Sequence, residues 1–157
     1  MGRTYINENG FTYLEAMIVV IMIGLFTTMA LPAFENIIAR ERLKAAARTI
    51  TIHFREIQQL AIAKEQVIKI VFNDKNNSAE ANSYLVKSGV TIIERKTLAN
   101  KIHIKLAAFS GKELTFNTLG NSKPGHLELE NSRGDNFYVI VNSVGRVRTS
   151  NVPPAVP

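Results

Sequence analysis

The sequence predicts an α+β protein in which a long N-terminal helix, with a membrane-spanning first half, packs on a small antiparallel β-sheet domain. Three observations predict this class: an apolar stretch at residues 11–34, a helical apolar stripe between residues 43 and 61, and short alternating runs from residue 67 onward. The length of 157 residues fits one domain, since about 150 residues is a common domain size. A hydrophobic content of 46% excludes a disordered chain.

The composition argues against catalysis. The chain has no Cys, which excludes disulfides, thiolate zinc sites and thiol nucleophiles. His53, His103 and His126 stand apart, without metal-ligand spacing, and no phosphate loop or nucleophile elbow occurs. Glu128 and Glu130 share one strand face, where a solvent-facing role is favoured over the alternative of a calcium site. We therefore predict that the protein is not an enzyme and binds no cofactor or metal. The histidines are expected to have structural roles.

The apolar stretch at residues 11–34 is long enough to cross a membrane. Glu15 is its only charged residue, and its 24 residues would span about 36 Å as a helix, against about 30 Å for a hydrocarbon core. All Lys and Arg residues except Arg3 lie beyond Pro32, and the whole chain has a net charge of +6. The sequence therefore predicts a membrane segment followed by a basic soluble part.

The leader at residues 1–10 differs from a secretory signal peptide. In a signal peptide the apolar core precedes the cleavage site. Here the short polar segment MGRTYINENG ends in Gly10 and the apolar stretch follows it. Cleavage at Gly10 would therefore leave the apolar stretch on the mature protein.

The segment GFTYLEAMIVV at residues 10–20 resembles the signature of type IV pilins. The resemblance implies a leader at residues 1–10 and cleavage after Gly10 by a prepilin peptidase. It further implies N-methylation of Phe11 and places Glu15 fifth in the mature chain.

Two further positions agree with this family. Gly24 matches a pilin glycine, and Pro32 lies where the pilin helix typically kinks as it leaves the membrane. The resemblance implies that Gly24 and Pro32 act in assembly, since their low helix propensity makes residues 24–32 the place where the helix stretches most easily when the filament forms. The simpler explanation is an ordinary membrane-helix glycine and a proline that bends the helix. Three positions depart from the family: Tyr13 and Ala16 replace the commoner Leu, and Asn9 replaces a basic residue.

The carboxylate of Glu15 needs a reason to lie in an apolar helix, because a charge there costs a few kcal/mol. We favour pairing with the positive amine of Phe11 on a neighbouring subunit, which would neutralise both charges during filament assembly. The alternative is an interfacial acid in the first helical turn, where the helix dipole stabilises negative charge.

The helical pattern continues through residues 35–66, so that one helix is expected from about Thr12 to Lys64. Arg40, Lys44 and Arg48 follow at intervals of four residues on another face. They form either a solvated face or a contact with acidic groups on neighbouring subunits. The apolar stripe consists of Leu43, Ala47, Ile50, Phe54, Ile57 and Ala61.

Residues 67–149 alternate with period two and predict an antiparallel β domain, followed by a flexible tail at residues 150–157. Turn-forming segments rich in Asn, Gly, Ser and Asp separate the runs. Eight strands are more than one sheet under one helix needs, so we expect either two small sheets or some false strands. The predicted strands are 67–72, 83–87, 90–95, 101–108, 113–117, 125–130, 136–142 and 145–149.

The segment VGRVRTS near the C-terminus is the best candidate for a binding site. Arg146 and Arg148 lie two residues apart, so both should project from one strand face. Gly145 supplies the tight turn, and Val147 should anchor the strand on the sheet. The simpler alternative is an edge strand whose arginines discourage sheet-to-sheet association.

A pilin-like helix followed by strands and a terminal Gly-Arg-Val-Arg hairpin is similar to the FimT and GspH branch of minor pilins and pseudopilins. In FimT-like proteins a GRxR motif is associated with DNA binding in natural transformation, so the resemblance implies that role for Gly145, Arg146 and Arg148. Contact should be to phosphates without sequence preference. A contact with another pilin is a further alternative. Basic residues that would widen the patch if they converge are Lys101, Lys123 and Arg133.

The sequence thus predicts a minor pilin of a type IV pilus that binds DNA for uptake. The alternative is a GspH-like pseudopilin of a type II secretion system, and a third is a single-pass membrane protein with a ligand-binding domain that never polymerises. The expected partners are other pilin subunits, the prepilin peptidase, the membrane and DNA. The expected location is the bacterial cytoplasmic membrane, with the C-terminal domain outside the cytoplasm, and then a pilus or pseudopilus.

Overall fold

The computed structural model of the chain describes residues 11–73, 82–99 and 101–154, and for residues 29–33 it describes the backbone alone. The leader predicted at residues 1–10 therefore lies outside the described residues.

The first element is the helix α1, Tyr13–Ala63. It agrees within one residue at each end with the helix expected from Thr12 to Lys64. The Thr12 hydroxyl accepts a hydrogen bond of 3.2 Å from the Glu15 amide, which satisfies one of the free donors at a helix N-terminus. Beyond the other end, Glu65 has a left-handed backbone with φ of 51°, a conformation that commonly terminates helices.

None of the helices formed by the described residues combines the length and hydropathy needed to cross a membrane. The membrane-spanning role of residues 11–34 therefore remains a prediction.

Among the described residues, eight strands follow α1, and they form two antiparallel sheets of four. The first sheet has the order β3-β2-β1-β5 and the second has the order β4-β6-β7-β8. A short 3-10 turn at Ser110–Lys112 separates β4 from β5. The strands are β1 Ile68–Asn73, β2 Ser83–Ser88, β3 Thr91–Thr97, β4 Ile102–Ala108, β5 Glu113–Phe116, β6 Gly125–Asn131, β7 Asn136–Val141 and β8 Val147–Ser150.

All eight predicted strands are present, and two small sheets account for their number. Most strand ends differ from the prediction by one or two residues. The last strand is the informative case, because it begins at Val147 and not at Gly145. Gly145 and Arg146 instead belong to the turn that joins β7 to β8, since their backbones bond within that turn.

The apolar stripe of α1 forms the centre of the hydrophobic core. Every residue predicted for the stripe is buried, with exposed fractions of 3% or less. Phe54 is fully buried and packs against Phe72 of β1 and Tyr84 of β2, with ring centroids 5.9 and 6.0 Å apart. Phe72 also stacks on Phe109 at 5.4 Å. The second sheet contributes to the same core through Ile104, Leu127, Leu129, Val139 and Val141.

The chain divides into two compact units, with the boundary between Ile38 and Ala39. The buried hydrophobic residues among the described parts all lie in the second unit. Residues 39–157 therefore contain their own core, and a fragment with these bounds is expected to fold by itself.

The central position of Phe54 makes its truncation costly. In fragment 39–157, Phe54→Ala should lower the free energy of unfolding by about 3–5 kcal/mol, because it removes buried surface and leaves a cavity. Urea denaturation followed by circular dichroism measures the change. Ile52→Ala is the matched control on the same helix, because Ile52 is 57% exposed and its truncation should cost no more than about 0.5 kcal/mol. Equal losses in the two variants would contradict the placement of the core.

Candidate nucleic-acid interface

The turn between β7 and β8 is held by hydrogen bonds of its own backbone and of the Asn142 side chain, and the Ser122 hydroxyl donates to the Asn142 carbonyl at 2.9 Å. The amide of Gly145 donates to the carbonyl of Asn142 at 3.0 Å, and the amide of Asn142 donates to the carbonyl of Arg146 at 3.2 Å. The side-chain oxygen of Asn142 accepts a further bond of 2.7 Å from the Arg146 amide. Hydrogen bonds of this kind from an Asn side chain stabilise a tight turn, so they fix the backbone conformation at Arg146.

Gly145 lies where a side chain could not fit. Its φ of 76° is in the left-handed region, and a Cβ atom there would collide with the Gly120 carbonyl oxygen and the Gln58 side-chain nitrogen. Gln58 of α1 donates a 2.8 Å hydrogen bond to that same carbonyl. The turn therefore rests directly on α1 and on the loop around Gly120, and this contact explains why a glycine stands at this position.

Arg146 and Arg148 are exposed on either side of the buried Val147. Both arginines line one cavity of about 180 Å³, together with Ile140 and Asn142. Arg148 lies directly opposite Ile140 in the ladder between β7 and β8. The structure therefore brings two guanidinium groups to one small polar recess.

Arg55 of α1 is a third cation at this hairpin. Its Nη2 atom donates a 3.0 Å hydrogen bond to the carbonyl oxygen of Val147, between the two motif arginines. Sequence analysis missed this residue because nothing in the linear spacing links position 55 to position 147. The sequence gives one indication of its position. Arg55 lies seven residues, or two helical turns, after Arg48 and therefore on the same face of the helix.

The three basic residues that could have widened the patch do not converge. Lys123 follows Ser122, whose amide donates to the Ser143 carbonyl at 3.1 Å, and so lies at the Arg146 end of the second sheet. The carbonyl of Lys101 accepts a 3.1 Å bond from the amide of Ser132. Lys101 and the neighbouring Arg133 thus lie at the opposite end of β7, about 20 Å away for a strand of six residues.

The row of basic residues predicted on α1 is partly neutralised. Arg40 forms a 3.1 Å ion pair with Asp135, and Lys44 forms a 2.6 Å ion pair with Glu41. Hydrogen bonding from Asn131, with a smaller effect of Arg40, lowers the pKa of Asp135. Lys44 likewise lowers the pKa of Glu41. These exposed pairs contribute little stability, but they remove net charge from this part of the row.

The N-terminal candidate residues are only partly described. Gly10 lies outside the described residues, and at Pro32 the helical backbone continues. Phe11 is 82% exposed, and Glu15 is exposed without an ion pair to any described residue. Gly24 has open space where a Cβ atom would lie.

Of the three histidines, His53 has hydrogen-bonding partners in the fold. The ring nitrogens of His53 lie 2.7 Å from the Tyr84 hydroxyl oxygen and 3.0 Å from a Glu94 carboxylate oxygen. This connects α1 to β2 and β3, and burial raises the pKa of the Tyr84 hydroxyl. His103 is partly exposed on β4. His126 is also partly exposed, and burial lowers its pKa.

Glu128 and Glu130 both form ion pairs with Lys105. The ammonium of Lys105 lies 2.9 Å from Glu128 and 3.8 Å from Glu130. The hydrogen bond to Glu128 raises the pKa of Lys105, so the ammonium stays charged. A calcium ion would have to compete with this ammonium, and the described residues contain no group of three or more potential metal ligands.

Comparison with known proteins shows similarity both in sequence and in structure. No protein-family model matches the chain. It is 31% identical over 123 residues to the competence protein ComGD of Bacillus subtilis (strain 168), covering 75% of this chain and 76% of that protein. The crystal structure of the type IV minor pilin FimU of Pseudomonas aeruginosa superposes with a TM-score of 0.54 at 12% identity, covering 71% of this chain and 90% of that one.

A second structural relative comes from a secretion machine. The minor pseudopilin EpsH of the type 2 secretion system of Vibrio cholerae superposes with a TM-score of 0.52 at 12% identity, covering 69% of this chain and 96% of that one. At such low identity the two structures establish the shared fold alone.

The close contact of Gly145 yields a test of the hairpin geometry. Gly145→Ala should lower the free energy of unfolding of fragment 39–157 by more than about 1 kcal/mol, because the added methyl group meets both a positive φ and the Gly120 carbonyl. Gly134→Ala is the matched control, since Gly134 has a similar φ of 83° but open space around it. Urea denaturation compares the two. A loss at Gly145 no larger than at Gly134 would contradict the contact with α1.

Proposed function

This chain belongs to the family of type IV pilin-like minor pilins and pseudopilins, and from that premise we propose that it is a minor pilin that binds DNA without sequence preference during DNA uptake. The relative ComGD carries the name of a competence protein, which favours uptake over secretion. The single observation that supports DNA binding is the pair Arg146 and Arg148 at one recess of a rigid hairpin. The proposed protein is a structural subunit that binds DNA and catalyses no reaction.

The electrostatics of the hairpin favour a phosphate ligand. Within the described chain, neither Arg146 nor Arg148 has an ion pair with an acidic residue. Guanidinium groups bind phosphate oxygens through paired N–H donors. None of the described residues that line the recess is aromatic, so base stacking would contribute little and the contact would be to the DNA backbone. Each phosphate bound releases counterions, which makes the affinity depend on salt.

Assembly is proposed to occur through the N-terminal part of α1. Between residues 11 and 28 the described side chains include many exposed large hydrophobics, from Phe11 to Phe26. A contiguous apolar surface of this kind needs a covering partner. We assign that partner to the membrane before assembly and to helices of neighbouring subunits in the filament. Cleavage after Gly10 would create the amine of Phe11 that pairs with Glu15.

A GspH-like pseudopilin of a type II secretion system is the second candidate. The likeness to EpsH makes this role a candidate, because a pseudopilin and a minor pilin share this fold. In that case the same hairpin would be a plain sheet edge or a contact with another subunit.

DNA binding separates the two candidates. Fragment 39–157 should retard a mixed-sequence duplex in a gel shift at low salt, and Arg146→Ala/Arg148→Ala should weaken binding by at least about tenfold, because the substitutions remove two cations that bind phosphates. Lys101→Ala/Arg133→Ala removes the same charge at the far end of the sheet and should have a smaller effect. Binding that is absent, or equally reduced by both pairs, would favour the secretion pseudopilin.

Assembly is tested in the full chain. Glu15→Ala should reduce incorporation into pili or pseudopili at least about tenfold, because the Phe11 amine would lose its partner, and Gly10→Asp should block processing. Immunoblots of sheared filaments measure incorporation, and Glu35→Ala is the control for an acidic residue elsewhere on α1. Normal incorporation of both the Gly10 and the Glu15 variants would exclude the pilin role.

A further inference from the structure

Along one face of α1, cationic side chains lie beside β8, the edge strand of the second sheet. Two observations establish this neighbourhood. Arg55 donates to the Val147 carbonyl where β8 begins. Farther toward the start of α1, Lys44 lines a cavity of about 300 Å³ together with Asn151, where β8 has just ended. β8 therefore runs antiparallel to this face of α1, and Arg48 lies on the stretch between the two contacts.

We propose that Arg48 and Arg55 form one continuous phosphate-binding track with Arg146 and Arg148. This proposal rests on the proposed DNA-binding function and adds α1 to its site. Arg48 and Arg55 are seven residues apart, which places them on one helix face about 10 Å from each other. Arg148 projects from β8 on the side opposite the buried Val147, so the track crosses the edge strand from α1 to the outer face of the sheet. Duplex DNA carries about one phosphate per 1.7 Å of its axis, so phosphates that lie across this edge can meet the two helix arginines and the hairpin together.

The charges around the track define its length. Arg40 and Lys44 are paired with Asp135 and Glu41, so they supply little net charge. Beyond them, Arg48 and Arg55 form no ion pair with the described residues, although the pKa of Glu41, which Lys44 lowers, is also lowered slightly by the nearby Arg48. The track therefore begins at Arg48 and ends at the hairpin.

Arg55 can bind a phosphate without leaving the hairpin. One of its guanidinium N–H groups is used by the Val147 carbonyl, and the others are available because the residue is exposed. The same bond orients the guanidinium toward the strand that carries Arg148. Arg55 is thus both a positioning residue for the hairpin and a direct contact for the ligand.

The salt dependence of binding can count the phosphates that the protein neutralises. We would measure fluorescence anisotropy of a fluorescein-labelled mixed-sequence duplex of 24 base pairs with fragment 39–157, across a series of NaCl concentrations. The slope of log affinity against log salt falls in magnitude by about 0.9 for each phosphate that is no longer neutralised. Arg48→Gln/Arg55→Gln should therefore reduce the slope by about 2. Thermal unfolding verifies that each variant is folded.

The control removes equal charge from another face. Arg42→Gln/Arg95→Gln changes one residue on α1, in the groove beside Leu98 and Ala99, and one on β3 of the first sheet. This pair should leave the slope nearly unchanged. Equal slope changes in the two double variants would mean that only net charge matters, which would overturn the track.

A combined variant separates direct contact from positioning. In an Arg146→Ala/Arg148→Ala background, Arg55→Gln should still reduce the slope by about 0.9 if Arg55 contacts a phosphate. No further change in that background would show that Arg55 acts only through the hairpin and would overturn the track while leaving the proposed function intact. Binding that ignores Arg146 and Arg148 from the start would overturn the proposed function itself, and the track with it.

Discussion

The burial of one apolar stripe of α1 is the interaction on which the globular unit depends. Two four-stranded sheets cannot each bury a hydrophobic face unless something covers them, and the stripe centred on Phe54 covers both. Phe54, Phe72 and Tyr84 form a cluster of tilted and edge-on rings, an arrangement that adds to the simple burial of surface. Because this packing sets the position of α1, it also sets where every other face of the helix points.

The other faces of α1 organise the candidate interface. Gln58 holds the Gly120 carbonyl against Gly145, and Arg55 holds the Val147 carbonyl. Both bonds come from the helix to backbone atoms of the hairpin or its supporting loop, so they fix the chain that carries the arginines and leave the arginine side chains exposed. On the opposite side, His53 connects α1 to Glu94 and Tyr84. The helix therefore serves as the common support of both sheets.

The two compact units have contrasting surfaces. The described part of the first unit, ahead of Ala39, exposes large apolar side chains, with Glu15 and Glu35 as its two charged residues. The unit of residues 39–157 contains all the buried hydrophobic residues of the described parts, and it exposes cations on α1 and at the hairpin. Such a division suits a subunit that is held by its N-terminal segment and presents its folded unit to a ligand, as we propose for this chain.

The sequence by itself determined the local elements, because they depend on spacing along the chain. The helical stripe was predictable from apolar residues at alternating intervals of four and three, and the eight strands from period-two runs between turn residues. Gly145, Arg146 and Arg148 were predictable as a turn followed by exposed arginines. The start of β8 was placed two residues early, because Gly145 and Arg146 bond within the turn and not in the ladder.

Only the tertiary structure decided which distant residues meet. The pairing of strands into two sheets, the approach of Arg55 and Gln58 to the hairpin, and the separation of Lys101 and Arg133 from it all join positions far apart in sequence. Such contacts follow from the packing of α1 against the sheets, and no periodicity in the chain encodes them. The sequence therefore determined which residues are exposed cations, and the fold determined which of them can act on one ligand.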